Sequence, residues 1–498
     1  MTTLTRLRSA LPLSLLLVVS LLLFTTSVRA QLPMDAIAQE ARARHGVDSK
    51  ATATIHEVID RSCARCDLGA FVLRWPADRL EDRGLEFQQT CDALLAAQQA
   101  WLDWLEPAGL DHKQLRADLV KLRTAIKDWK PALLVKGAKT PGVDVLSLVQ
   151  APDAVVQASA RLAKAMRTRA DVGPARVEQD PAESTALRFY AGPTRDDFVQ
   201  LLVLAGDLNP EWKSWCWADG IATWTQVWFD DAQLTSLQYA APNLPPGTWK
   251  QGSWMNERDP DVMQQQLTQL ATNQLLQDRI GDRAPGPFLG GLSMNAVVDV
   301  YGQCNTRIDG DLRAARTEKR EVFVPGGLSE GGQLATNSAE TRWREDHGRG
   351  HFLAILRQSQ KEGESLAKGA KFKQGAFGIR SDKGGDPRAA VGPFIGAASA
   401  ATQAPPTQYL GDFAEFIRAY KCGFIHWLKS ASEGSSKKSG AAFGGLLLAL
   451  STPAPEGQVF DFEAVFAKYF GGDKLSTEPL TKDTLEGRFL VWLSKHKG

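Results

Sequence analysis

Residues 80–129 read LEDRGLEFQQTCDALLAAQQAWLDWLEPAGLDHKQLRADLVKLRTAIKDW, and their apolar positions follow a helical period. One apolar series runs from Leu85 to Leu105, and a second runs from Leu115 to Trp129. Pro107 and Gly109 stand between the two series and favour a break. The stretch therefore predicts an antiparallel helical hairpin, which a third helical pattern at 154–166 extends.

The rest of the chain mixes short strand patterns with longer helical ones. The predicted strands are 186–190, 223–229 and 321–324, and the predicted helices are 195–204, 260–280, 289–306, 413–428, 462–470 and 485–493. The last three helices carry aromatic residues at helical spacing, which is typical of a stripe that faces the core. These patterns predict an α+β fold that is predominantly helical, with an N-terminal helical hairpin region followed by an α+β domain.

Composition predicts the domain boundaries. The segments are a leader at 1–30, a helical N-terminal domain at 31–171, a Pro-, Glu- and Asp-rich linker at 172–185, an α+β region at 186–368, a Gly-, Ala- and Pro-rich loop at 369–407, and a C-terminal helical subdomain at 408–498.

The first thirty residues have the features of a secretory signal peptide. Arg6 and Arg8 precede an apolar run from Leu11 to Phe24, and the small-residue site 28–30 reads Val-Arg-Ala. The run is shorter than the span of about 20 residues that crosses a bilayer, so we expect no transmembrane segment in the mature chain. The leader predicts an exported protein that is periplasmic or extracellular.

The charge of the chain is nearly balanced. It contains 58 basic and 57 acidic residues, so it lacks the basic excess that is typical of nucleic-acid-binding proteins. We therefore expect no nucleic-acid partner.

The chain contains six cysteines, which an exported protein carries into an oxidising compartment. Cys63 and Cys66 form a Cys-x-x-Cys pair, for which we predict a structural disulfide. Half of a zinc site and a redox pair are the alternatives. A zinc ribbon requires a second Cys-x-x-Cys, which the sequence lacks.

Tryptophan is concentrated in one part of the chain, where residues 212–254 include seven of the fourteen tryptophans. Indole rings stack on sugar rings and pack on peptide side chains, although buried indoles also fill cores. The candidate ligand-binding residues are Trp215, Trp217, Trp224 and Trp228. Trp224 and Trp228 would share one face of a strand because an even number of residues separates them.

Two histidines have a spacing that can bind zinc. His347 and His351 are four residues apart, so on a helix they would share a face, and Glu362 could supply a third ligand. Surface histidines without a metal are the alternative, since Gly348 and Gly350 disfavour a helix here.

Residues 325–331 read Pro-Gly-Gly-Leu-Ser-Glu-Gly and resemble the Pro-x-Trp-Leu-x-Glu-Gly segment of the peptidase-MA-like gluzincins, which are secreted bacterial zinc peptidases. The order of the elements from about 185 to 498 is also similar to that family. The resemblance implies a zinc-peptidase-like α+β domain in which Glu330 corresponds to the third zinc ligand.

The residues that such a peptidase needs are absent from the corresponding positions. Where the family has His-Glu-x-x-His, residues 295–299 read Asn-Ala-Val-Val-Asp, so Asn295 and Asp299 stand in place of the two histidine ligands. The general base is lost as well. The sequence thus predicts a catalytically inactive relative with no cofactor and a peptide- or saccharide-binding role. The alternatives are an active zinc-dependent hydrolase that uses His347 and His351, and a structural component of the cell envelope.

Overall fold

Helices make up most of the described chain, and a single six-stranded sheet packs against them. The computed structural model describes residues 63–76, 83–128, 153–167, 186–192, 224–230, 233–238, 253–257, 260–306, 349–350, 352–357, 360, 410–452, 454, 458–470 and 485–496. Within these residues the prediction of a predominantly helical α+β fold is confirmed.

Nine longer helices are present in the described part. They are α1 Gly84–Leu105, α2 Lys113–Asp128, α3 Asp153–Arg167, α4 Pro260–Arg279, α5 Gly286–Tyr301, α6 Leu410–Ser430, α7 Ser436–Ser451, α8 Phe462–Phe470 and α9 Leu485–Lys495. None of the helices in these ranges is long and apolar enough to cross a bilayer.

The six strands follow chain order across the sheet. They are β1 Cys63–Leu68, β2 Phe71–Pro76, β3 Leu187–Gly192, β4 Trp224–Asp230, β5 Gln233–Gln238 and β6 Ser253–Glu257. The pairs β2–β3 and β3–β4 are parallel, and the other three pairs are antiparallel. The strands predicted at 186–190 and 223–229 are confirmed.

The helical hairpin has the predicted form. Helix α1 ends at Leu105, the turn of 3₁₀ helix Glu106–Ala108 follows, and Gly109 adopts a φ of 94°. A positive φ costs glycine little, so the chain reverses here and starts α2. Helix α3 packs against α2 and covers the end of β1, where Ser159 Oγ donates a 2.7 Å hydrogen bond to the carbonyl of Asp67.

Helix α1 is attached to the β1–β2 turn through one buried side chain. Gln98 Nε2 donates to the carbonyl of Leu68 at 2.8 Å, and Gln98 Oε1 accepts from the backbone N–H of Ala70 at 2.9 Å. Gln98 is completely buried, so these bonds satisfy backbone groups that water cannot reach. The residue joins the first helix to the first hairpin.

The boundary predicted at 172–185 does not divide the fold into two independent cores. Residues 31–171 were expected to be helical, but 63–76 form two strands, and β2 pairs in parallel with β3 beyond the predicted linker. The sequence analysis predicted no strand at 63–76, where β1 and β2 are stabilised by pairing with each other and with β3. Side chains from both sides of the linker, Leu73 and Phe189, belong to one hydrophobic core.

The C-terminal helices enclose an aromatic core, as their stripes predict. Phe424 of α6 lies 5.4 Å from Phe489 of α9 between ring centroids, and Phe489 lies 5.4 Å from Trp427. Helix α7 was not predicted from the sequence. It approaches α1 closely at Gly444, where a Cβ atom would lie 2.8 Å from the carbonyl oxygen of Trp104, so only glycine permits this spacing.

Candidate functional site

The two positions that the gluzincin resemblance assigns to zinc ligands lie one turn apart on α5. Helix α5 packs lengthwise against α6, and its sequence GPFLGGLSMNAVVDVY contains Asp299 as its single charged residue. A lone carboxylate on such an apolar helix requires a polar partner if it faces a neighbouring helix. Asp299 meets its partners at the C-terminal end of α5.

Asp299 is the centre of a cluster of four side chains, which we call the Asp299 cluster: Trp104, Asp299, Arg349 and Lys429. Arg349 Nη2 donates to Asp299 Oδ1 at 2.7 Å, and Trp104 Nε1 donates to Asp299 Oδ2 at 3.1 Å. Lys429 Nζ also donates to Oδ2. Both carboxylate oxygens therefore accept hydrogen bonds, two of them charge-assisted.

The cluster brings together residues that are distant in the sequence. Trp104 comes from the last turn of α1, Lys429 from the last turn of α6, and Arg349 from the helical turn at 349–350 and 352–357. Lys429 also lies 6.0 Å from the centre of the Trp104 ring, within the range of a cation–π contact. Sequence reasoning singled out Asp299 but missed its three partners.

Asn295 performs a different task one turn earlier on α5. Its Nδ2 donates to the carbonyl of Gly291 at 2.9 Å and to the carbonyl of Cys422 on α6 at 3.0 Å. The side chain is completely buried, and its Oδ1 has no hydrogen-bond partner among the described atoms. Asn295 therefore joins α5 to α6 and is not presented to a cleft.

The charges of the cluster are partly withdrawn from water. The side chain of Lys429 is 14% exposed and that of Asp299 is 26% exposed. Burial lowers the pKa of Lys429, although the attraction of Asp299 opposes this shift. The carboxylate thus stabilises a lysine charge that the surroundings would otherwise disfavour.

A second group of charges, which joins α1 to α2, lies next to the cluster. Arg116 Nε contacts Asp103 Oδ1 at 3.0 Å, and Arg116 also bridges to Glu106. Burial raises the pKa of Asp103, while Arg116 lowers it, and the nearby Asp299 charge adds to the increase. These groups are more exposed than Lys429, so their pairing contributes less to stability.

His426 is the titratable group of α6 that packs behind the cluster. Its ring lies 6.2 Å from the Trp492 ring, and its Nδ1 is buried without a hydrogen-bond partner among the described atoms. Burial, together with the positive charges of Arg349 and Lys429, lowers the pKa of His426 to about 3. The imidazole is therefore neutral at physiological pH.

We expect His426 to make the protein sensitive to mild acid. Because the pKa of the folded state lies below the value of about 6.5 for an unfolded chain, the unfolded state gains a proton first as the pH falls. The free energy of unfolding should decrease by roughly 2 kcal/mol between pH 6.5 and pH 5 through this group. Urea unfolding at several pH values would measure the slope.

The matched variant for this prediction is His426→Gln, which stays neutral over the whole range. The free energy of unfolding of the variant should not show the decrease that His426 causes between pH 6.5 and 5. At pH 7.5 residue 426 is uncharged in both proteins, so their difference in stability at this pH serves as the reference. Equal slopes for the two proteins between pH 6.5 and 5 would contradict the prediction.

The residues at this site do not fit zinc. Zinc in proteins is bound mostly by Cys, His and carboxylate ligands in a tetrahedral set. Here one position carries a carboxamide held between two helices, and the other carries a carboxylate whose oxygens already accept hydrogen bonds. Across the described ranges there is no group of three or more His, Cys, Asp or Glu residues that could hold a metal ion.

The other predicted site residues have different outcomes. His347, His351, Glu362, Glu330, Trp215 and Trp217 lie outside the described residues. The disulfide predicted between Cys63 and Cys66 does not fit the geometry of β1. The two residues are three positions apart on β1, which places them on opposite faces and their Cα atoms about 10 Å apart. Disulfides require a Cα separation below about 7 Å.

Strand register assigns three tryptophans to one face of the sheet. Trp224, Gln226 and Trp228 are two residues apart on β4, so they lie on one face of the strand. Gln226 pairs with Leu237 of β5, and Leu237 pairs with Trp254 of β6. Paired residues share a face, so these tryptophans form one set, which we call the tryptophan face. Its residues are Trp224, Trp228 and Trp254.

The opposite side of the sheet supplies the core. On β1, β2 and β3 the residues of that side, such as Leu68, Leu73 and Phe189, belong to the hydrophobic core with α1 and α4. Tyr190 of β3 shares the side of the tryptophan face by register, and it is buried. The end of the tryptophan face that continues into β5 and β6 is therefore the part that we consider for ligand binding.

No known protein family, no curated protein sequence and no solved structure matches this chain.

Proposed function

We propose that this chain is an exported, non-catalytic protein that binds a saccharide or peptide at the tryptophan face. The observation that carries the proposal is the register of β4, β5 and β6, which assigns three tryptophans to the face opposite the helix-packed core. Indole faces are suited to stacking on sugar rings. The same face includes Gln226 and Asn256 by register, and amides can bind sugar hydroxyls.

The Asp299 cluster supports the non-catalytic part of the proposal. In the register of the gluzincin resemblance, Asn295 and Asp299 occupy the positions of the two histidine ligands. Asn295 joins α5 to α6 through a hydrogen bond, and Asp299 accepts three hydrogen bonds. Arg349 and Lys429 supply positive charge where such a peptidase would hold its metal. In this register Ala296 stands at the position of the general base, and the Asp299 carboxylate already accepts three hydrogen bonds, so neither residue is suited to activate water for the cleavage step.

Tryptophan fluorescence tests the proposal directly. We expect emission of the mature chain, treated with a chelator, to change on titration with soluble chitin or peptidoglycan fragments, or with short peptides. Trp228→Ala should weaken the binding by roughly tenfold, because a stacked aromatic contact contributes about 1.5 kcal/mol. Trp492→Phe is the matched control, since Trp492 of α9 stacks on His496 and lies away from the sheet.

Two outcomes would contradict the proposal. Stoichiometric zinc that is lost in His347→Ala or His351→Ala, together with hydrolysis of a peptide, would favour an active zinc-dependent hydrolase. No fluorescence response to any of these probes, in a protein that is folded and free of metal, would favour a structural role in the cell envelope.

A further inference from the structure

Cys66 faces the hydrophobic core from β1. Its neighbours two residues away on the same strand, Ala64 and Leu68, belong to the core that includes α1, and Cys66 itself is 1% exposed. Cys63 lies on the other side of the strand and is not part of this core. Of the Cys-x-x-Cys pair, only Cys66 therefore faces the core that contains α1.

Two contacts fix the position of α1 along β1. At one end, the Trp75 and Phe87 rings meet edge to face with centroids 5.5 Å apart, and Trp75 pairs with Ala64 in the sheet. At the other end, Gln98 bonds to the carbonyl of Leu68. Helix α1 and strand β1 therefore run side by side between these two contacts.

The same two contacts place Cys91 beside Cys66. Cys91 follows Phe87 by one helical turn, about 6 Å along the helix axis, and Cys66 follows Ala64 by two residues, about 6.6 Å along the strand. The two residues are therefore at the same level of the packed pair, and they lie near each other in the core. Cys91 is completely buried.

We propose that Cys66 and Cys91 form a disulfide that joins β1 to α1 in the exported protein. Each thiol loses a hydrogen as the S–S bond forms, and a disulfide donor, such as an oxidised thiol oxidoreductase or glutathione disulfide, is reduced to two thiols. Both sulfurs are buried once β1 packs on α1, so the exchange occurs during folding. The pairing is independent of whether the tryptophan face binds a ligand.

Peptide mapping tests the pairing. The full mature chain, refolded in a glutathione redox buffer so that the result does not depend on export, is quenched with acid, alkylated under denaturing conditions and digested without reduction. We expect a cross-linked peptide pair containing Cys66 and Cys91, which reduction separates into two peptides. The same pair should appear in protein secreted with its own leader.

Two variants make the assignment specific. Cys63→Ser should retain the cross-linked pair, whereas Cys91→Ser should leave Cys66 open to alkylation in the unreduced protein. Alkylation of both Cys66 and Cys91 in the unreduced, unaltered protein would overturn the proposal, and so would a link from Cys66 to Cys63 or Cys216. Because these results come from the unaltered chain, they decide the question even if Cys91→Ser fails to fold.

Discussion

Replacing Gly69 by alanine is expected to lower the free energy of unfolding by about 4 kcal/mol. Gly69 forms the β1–β2 turn with a φ of 69°, a conformation that costs a residue with a Cβ about 1–2 kcal/mol. An added Cβ would also lie 2.6 Å from Leu162 Cγ and still closer to Gln98 Oε1. Alanine therefore introduces both backbone strain and a collision in the core.

The collision matters because Gln98 cannot move without losing its hydrogen bonds. Its amide nitrogen donates to the carbonyls of Leu68 and Leu94, and its amide oxygen accepts from the N–H of Ala70. All of these groups are buried. Each buried group left without a partner costs about 1–3 kcal/mol. The loss of two such bonds accounts for the larger part of the expected effect.

Gly109→Ala is the matched control for this prediction. Gly109 also has a positive φ, 94°, but an added Cβ would meet no atom within 4 Å. This variant should show the backbone cost alone, about 1 kcal/mol. Urea denaturation of the three proteins measures the difference, and equal losses in the two variants would show that contact with Gln98 and Leu162 is unimportant.

Asp299→Asn is expected to lower the free energy of unfolding by about 3 kcal/mol. The substitution keeps the size of the side chain but removes the negative charge that faces Lys429 and Arg349. The ammonium group of Lys429 would then remain largely buried without a counter-charge, the situation in which broken buried ion pairs are most costly. The partial exposure of Asp299 keeps our value at the lower end of the usual range.

The pH dependence of the Asp299→Asn variant gives a second measure. The pKa of Lys429 is already lowered by burial, so the unfolded chain holds this proton at a higher pH than the folded chain does. The contribution of Lys429 to the free energy of unfolding therefore rises as the pH increases from the pKa of Lys429 in the folded state towards about 10.4, the pKa of an unfolded lysine. Without Asp299 the folded pKa falls further, and the rise should begin at a lower pH.

A double-mutant cycle separates the pair from general disruption. Lys429→Met combined with Asp299→Asn removes both charges and should recover much of the stability lost in Asp299→Asn alone. Asp103→Asn is the matched control, because Asp103 pairs with Arg116 at a more exposed position and should cost less than 1 kcal/mol. If the stability losses of Asp299→Asn and Lys429→Met simply add up in the double variant, the two charges do not interact appreciably.

The helices were predictable where one face is apolar. Helices α1, α2 and α3 have clear stripes, and the Pro107–Gly109 break is unambiguous, so their positions followed from periodicity. Helix α7 was missed because its residues 436–451 consist largely of Ser, Gly, Ala and Leu. Its glycines serve close packing against α1 and α8, which depends on partners far away in the chain.

The sheet and the candidate site were predictable only in part, because they too depend on partners far away in the chain. Strand β5 reads QLTSLQ and has little apolar alternation, so its pairing with β4 supplies the signal that the sequence lacks. Asp299 and Asn295 were singled out by the resemblance. Their partners Lys429 and Cys422 lie more than a hundred residues further along, and the lone charge on the apolar α5 was the usable hint of a buried ion pair.

The parallel pairing of β2 with β3 also affects how the chain matures. The hairpin of β1 and β2 leaves a ribosome or a translocation channel early, yet the strand that completes its open edge starts only at Leu187. Until then β2 presents unpaired backbone groups, which are a template for pairing with other chains. We therefore expect the nascent protein to need a chaperone during this interval, and fragments that end before Leu187 to aggregate when they are expressed alone.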